Sequence, residues 1–138
     1  MRRHLETNFF GLLHVSRAFA PILGNNGGGA LLNVLSVLSW INRPQLAAYA
    51  TSKAAAWSLT NGLRNELHAQ NTQVLALHAG FIDTDMTRSF DAPKSAPETI
   101  VARAFDALER GDCEVAADDM SQQVRQGLSA EPAIYLQA

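Results

Sequence analysis

Residues 30–36 read A-L-L-N-V-L-S, directly after the loop N-N-G-G-G at 25–29. A strand with one wet face would alternate apolar and polar residues. This run is nearly continuous, which predicts a strand buried on both faces, as in a parallel sheet. Q-V-L-A-L-H at 73–78 reads as a second such strand, and C-E-V-A-A at 113–117 as a weaker third. Helical patterns separate them. Leu5, Phe9, Leu12, Leu13, Phe19 and Ile22 recur at three- and four-residue spacing and predict a helix over 2–23, with Pro21 kinking or ending its last turn. A second helix is predicted over 46–69, its apolar positions filled by Ala, Leu59, Leu63 and Leu67. A loop from Ala79 to Ala96 follows the second strand. Ser95 and Glu98 then have the spacing of a capping box with Pro97 in the first turn, so a helix is predicted from there to Arg110, stopping at Gly111. Residues 118–128 suggest a last short helix.

The order helix, strand, helix, strand, helix, strand, helix predicts an α/β fold: a Rossmann-like parallel sheet with flanking helices, one domain over 1–138. Three strands make a small sheet. They leave the apolar run at 30–36 as an open edge, an aggregation hazard unless something covers it.

Composition narrows the function classes. Hydrophobic residues make up 47% of 138, enough for a packed core. The net charge of −2 and eleven scattered basic residues argue against a nucleic-acid or anionic-membrane surface. Cys113 stands alone, which excludes an internal disulfide framework and points to a reducing, cytoplasmic setting. The four histidines, at 4, 14, 68 and 78, have no metal-ligand spacing. Glu6, Asn8, His14 and Arg17 interrupt the apolar N-terminal run, so it reads as an amphipathic helix rather than a targeting peptide.

Four places carry possible chemistry. Tyr49 and Lys53, one helical turn apart, put an ammonium beside a phenol; that favours phenolate and suits acid/base work. The pair alone is also a common surface arrangement. Ser36 ends the first strand, and ligands of open α/β sheets gather at carboxyl strand ends. A hydroxyl there can bond a substrate oxygen or simply cap a turn, and Ser39 competes for either role. Asn8, three residues before Gly11, sits in a helix where both are poor formers, which suggests a local break or a side chain used for hydrogen bonding. G-F-I-D-T-D-M at 80–86 follows the second strand, where backbone groups and Thr84 could bind a flat polar ligand such as a carboxamide. The glycines at 27–29 follow a helix and open a strand, the reverse of a dinucleotide-phosphate turn. No G-x-S-x-G elbow surrounds Ser36, so hydrolase chemistry is not supported.

Taken together, T-N-F-F-G, N-V-L-S, Y-A-T-S-K and H-A-G-F-I-D-T-D-M resemble, in order, four segments of the short-chain dehydrogenase/reductase family. The likeness covers essentially the whole chain and that family's C-terminal part. The spacings of 28 residues from Asn8 to Ser36 and 13 from Ser36 to Tyr49 fit as well. Ala79 stands where the family has Pro, and Leu35 where it has a first Ser. The resemblance implies Asn8, Ser36, Tyr49 and Lys53 as catalytic residues: Tyr49 exchanges the proton, Lys53 lowers its pKa and holds the nicotinamide ribose, Ser36 orients the substrate, and Asn8 supports a relay water. It implies Tyr49, Lys53, Gly80, Ile82 and Thr84 as contacts to NAD or NADP, and hydride transfer to or from a small alcohol or carbonyl compound. It also implies a homodimer or homotetramer through helices 2–23 and 46–69, with Ala54, Ala55 and Ala56 allowing close approach.

Members of that family begin with a T-G-x-x-x-G-x-G turn for the cofactor pyrophosphate and run to roughly 250 residues. Neither that turn nor the N-N-A-G segment preceding the catalytic Asn occurs here. The expectation is therefore the catalytic half of a doubly wound fold, its front part missing, with little cofactor binding by this chain alone. The other reading is a truncated, non-catalytic remnant that self-associates through its two long helices.

Overall fold

The computed structural model describes residues 1–136. The chain starts helical and stays so through α1 (Arg2–Leu5), a π-helical turn (Glu6–Phe10) and α2 (Gly11–Asn25). It then runs through β1 (Gly29–Val34), α3 (Ala47–Leu67), β2 (Thr72–His78), α4 (Pro97–Glu109), β3 (Glu114–Ala116) and α5 (Asp119–Gly127). The three strands form one sheet in the order β1-β2-β3, both pairings parallel. The expected element order and sheet type are both present.

β2 is the centre of the molecule. Val74, Leu75, Ala76 and Leu77 are buried, and so is His78 at its end. Ala56 of α3 packs with Leu35 and Ala76, and Leu63 and Leu67 pack with Val74. On the other side Ile100 and Ala104 of α4 meet Leu77, Ala79 and Ala117. Polar ties reinforce this packing. Arg64 of α3 donates to the carbonyls of Val74 and Cys113, clamping β2 to the entrance of β3. Asn33 of β1 donates to Thr60 across 3.1 Å.

Several expectations are corrected. β1 is an edge strand and is not buried on both faces: Val34 is 54% exposed. The strand also ends at Val34 rather than at Ser36, because Ser36 turns to cap the 3₁₀ turn Val37–Ser39. Pro21 does not stop its helix, which continues to Asn25. The carbonyl of Arg17 loses its helical partner there, but both residues face solvent, where water can take the bond. The capping box at Ser95 and Glu98 does not form. Ser95 is drawn into a parallel bridge with Ile82, so Ala96 becomes the N-cap without a side-chain bond, and only Pro97 at the first position holds to the expected pattern. Ala56 is fully buried against the sheet, so it cannot face another subunit.

Two turns depend on glycine. Gly28 has φ +123°, and a Cβ there would lie 2.4 Å from the carbonyl oxygen of Asn71. Gly111, at φ +76°, ends α4 as expected: its N–H bonds Leu108 and that of Asp112 bonds Ala107, the Schellman pattern.

Ala56→Leu tests the packing. Three extra carbons against Leu35 and Ala76 are expected to cost about 1–3 kcal/mol by urea denaturation, without changing the association state. An unchanged midpoint with altered association would place Ala56 at a subunit contact instead.

Candidate functional site

The backbone ladder between β1 and β2 does not stop with the strands. Leu35 N–H bonds the Leu77 carbonyl at 2.8 Å, and Val37 N–H bonds the Ala79 carbonyl at 2.9 Å. This extension carries Ser36 to the carboxyl end of the sheet and fixes it between two paired residues. Its side chain accepts from Leu38 N–H at 3.1 Å, while Ser39 Oγ accepts from Ser36 N–H at 3.4 Å. Of the two serines, Ser36 therefore caps the turn and Ser39 supports it.

Tyr49, near the start of α3, brings its phenol close enough to the Ser36 hydroxyl for the two to influence each other. Burial raises the phenol pKa from its ordinary 10.0, and the Ser36 hydroxyl offsets only part of that rise. The expected lowering by Lys53 is thus not what the chain shows. Lys53 Nζ lies 5.8 Å from the centre of the Tyr49 ring and donates to the Val34 carbonyl at 2.9 Å. The reason lies in the strand edge. Leu35 directs its N–H to β2, so the Val34 carbonyl points the other way, and Lys53 satisfies it. Burial lowers the Lys53 pKa from 10.5.

Asn8 lies in the π-helical turn, where the sequence suggested a break, and its amide is also used. Nδ2 donates to Ser52 Oγ at 2.9 Å, and Ser52 Oγ donates to the Tyr49 carbonyl at 2.7 Å. Asn8, Ser36, Tyr49 and Lys53 are thus brought together at the end of β1. Ser52, wholly buried, is a link the sequence reading missed.

Gly80, Ile82 and Thr84 follow β2 as expected. Gly80 N–H bonds Asp118 Oδ2, and a Cβ on Gly80 would come within 2.9 Å of Met120 Sδ, a flexible side chain of α5 that would have to shift. Ile82 gives its carbonyl to Thr87 Oγ1, and Thr84 caps the 3₁₀ turn Asp85–Thr87 with an exposed side chain.

A buried network behind Ser36 was also missed. His78, with no exposed surface, sits 3.0 Å from the Ser36 carbonyl through Nδ1 and 2.8 Å from Glu114 Oε1 through Nε2. Trp57 Nε1 donates to the same Glu114 oxygen at 2.8 Å. Trp40 stacks on the imidazole, centroid to centroid 3.7 Å. The polar residue ending the apolar run Q-V-L-A-L-H was the available signal, but its partner Glu114 lies 36 residues further on.

A parallel sheet whose strand ends gather hydroxyl, phenol and ammonium groups defines half of a dinucleotide-type α/β site. The comparisons with known proteins agree. A family model described as short chain dehydrogenase matches residues 1–95, and the chain belongs to that family of oxidoreductases. It is 34% identical over 93 residues to the 7alpha-hydroxysteroid dehydrogenase of Escherichia coli, a match covering 67% of this chain and 36% of that protein. A short chain dehydrogenase from Burkholderia cenocepacia, solved in complex with NADP, superposes with a TM-score of 0.92 at 40% identity, covering 99% of this chain and 59% of the other. A 7 alpha-hydroxysteroid dehydrogenase solved with NADH and 7-oxo glycochenodeoxycholic acid gives a TM-score of 0.74 at 28% identity, covering 82% and 51%. The chain thus spans little more than a third of the length of the first curated relative and under two thirds of the solved structures named.

The residues present fit one end of a nicotinamide dinucleotide. Lys53 uses one of its three donors on Val34, leaving donors for ribose hydroxyls, and the Thr84 side chain is exposed. The pyrophosphate end has no such match among the described residues. The β3–α5 turn carries Asp118 and Asp119, and Asp118 itself caps α5 by accepting from Ser121 N–H at 2.7 Å.

Glu114 makes stability pH-dependent. Burial raises its carboxyl pKa, but bonds from His78 and Trp57 and the charges of His78 and Arg125 outweigh this and hold it below 4.5. A carboxyl depressed on folding stabilises fully above its unfolded pKa and loses that contribution as pH falls through the folded value. Wild type is therefore expected to lose stability more steeply than Glu114→Gln as pH falls from about 5 toward 3. Equal slopes in urea denaturation at stepped pH would contradict the assignment.

Proposed function

We propose that this chain is the catalytic half of an NAD(P)-dependent short-chain dehydrogenase/reductase, acting on a small alcohol or carbonyl compound. The convergence of Tyr49 and Ser36 at the carboxyl end of β1, with Lys53 one turn away, is the observation that carries this reading. When bound, the nicotinamide cofactor supplies or accepts the hydride. The chain's own residues do the rest. Tyr49 gives a proton to the substrate oxygen in reduction and takes it back in oxidation. Ser36 Oγ holds that oxygen beside the phenol. Lys53 turns toward the ribose and, freed from Val34, places its charge where phenolate develops. Asn8, through Ser52, fixes the carbonyl of Tyr49 and keeps the start of α3 in place. Thr84 and the backbone at Gly80 and Ile82 meet the carboxamide. The NADP of the Burkholderia relative and the NADH of the hydroxysteroid dehydrogenase leave both cofactors open for this chain.

Self-association is part of the proposal. Val15, Phe19 and Ile22 of α2 are all more than half exposed, an apolar stripe suited to a second copy. No helix of the described residues is long and apolar enough to cross a membrane, and a cytoplasmic setting fits the lone, exposed Cys113. The same stripe is what the non-catalytic reading would use.

The test has two arms. NADPH and NADH titrated by fluorescence into the 138-residue chain are expected to show no saturation at micromolar concentration, since no residue set here holds the pyrophosphate. In a polypeptide that carries a phosphate turn ahead of this sequence, Tyr49→Phe is expected to cut turnover by about 10²-fold or more with the fold intact. Turnover retained by that variant would remove Tyr49 from the chemistry.

A further inference from the structure

The His78 network lies outside every role assigned so far. Its geometry limits its protonation. The Ser36 carbonyl can only accept, so Nδ1 must carry a hydrogen at 3.0 Å. Nε2 faces Glu114 Oε1 at 2.8 Å, and that oxygen also accepts from Trp57 Nε1. Glu114 Oε2 lies 3.9 Å from Arg125 of α5. One hydrogen therefore lies between Nε2 and Oε1. Trp40 lies against one face of the ring at an interplanar angle of 21°, and the Trp57 ring meets it edge-on at 78°.

We propose that His78 is a positioning residue: a buried imidazole held between Glu114 and two tryptophans, which fixes the Ser36 carbonyl and thereby the Ser36 hydroxyl beside Tyr49. The bond acts on the one residue of the β1 extension whose side chain faces the phenol. The Ser36 carbonyl also accepts from Ser39 N–H at 2.9 Å, so both lone pairs are engaged and the peptide cannot rotate. The titratable and charged groups facing the ring are Glu114 from β3 and, behind it, Arg125 from α5; α3 and the turn after β1 contribute only Trp57 and Trp40. Glu114 opens on its far side into a cleft of about 450 Å³ lined in part by Arg103, Arg110 and Arg125. Glu114 is therefore reachable by solvent from that cleft, while His78 is not. That Ser36 matters to catalysis rests on the proposed function, but its fixation by His78 does not.

The experiment needs no turnover. Long-range proton–nitrogen spectra of the 138-residue chain are expected to show a hydrogen on His78 Nδ1. In His78→Phe, which keeps the stack on Trp40 but has no donor, the Tyr49 ¹³Cζ signal is expected to shift while that of exposed Tyr135 stays put. His78→Asn, whose amide can reach the same carbonyl, is expected to restore the Tyr49 signal. A bare Nδ1 in wild type overturns the proposal, whatever the variants do. So does an unmoved Tyr49 signal in a folded His78→Phe, or a shift that His78→Asn does not rescue. Loss of turnover in Tyr49→Phe bears only on the proposed function, so the two ideas fail separately.

Discussion

The site depends on the hydrogen bonds that prolong the β1–β2 ladder past the end of the strand. Leu35 and Val37 pair with Leu77 and Ala79, and Ser36 is trapped between them. In this stretch the chain is buried on nearly every residue, so its backbone groups have no water to fall back on. Losing either bond would strand a buried polar group as well as free the hydroxyl. The same ladder leaves the Val34 carbonyl looking outward, which is why Lys53 sits where it does. One parallel pairing thus places three of the four residues at the end of β1.

What flanks that ladder differs on its two sides. Toward β3 the polar groups are paired: His78 takes the Ser36 carbonyl, Glu114 takes His78, and Trp57 donates to Glu114 with Arg125 beside it. Toward the open edge of β1 the groups are held loosely, with Lys53 on a strand carbonyl and Val34 more than half exposed. A site of this kind is stiff around the Ser36 hydroxyl and adaptable around Lys53. The raised phenol pKa of Tyr49 belongs to this state of the chain, in which burial acts on the ring and the ammonium is engaged elsewhere.

Much of this was legible in the sequence. Apolar runs of strand length between helical periodicities gave a parallel α/β sheet, and Asn8 beside Gly11 marked the π-helical turn. The family resemblance grouped Asn8, Ser36, Tyr49 and Lys53, and in the fold Ser52 links Asn8 to the Tyr49 carbonyl while Lys53 lies beside the Tyr49 ring. Burial of individual faces was not legible, because it depends on which strand lies beside which. Residues 30–36 have the composition of a central strand and the environment of an edge. Local signals also lost to tertiary ones: Ser95 has the spacing of a cap, but its backbone pairs with Ile82 and Phe81 instead. The His78–Glu114 pair was hidden by its sequence separation, since nothing near either residue announces the other.

Amide hydrogen exchange at Leu35 and Val37 tests the account at its root. Opening free energies at these two amides are predicted to match those of Val74 to Leu77 in β2, because the same cooperative unit protects them. Exchange at the rate of the exposed loop at 85–90, with β2 still protected, would show that the ladder ends at Val34 and that Ser36 is not held against Tyr49.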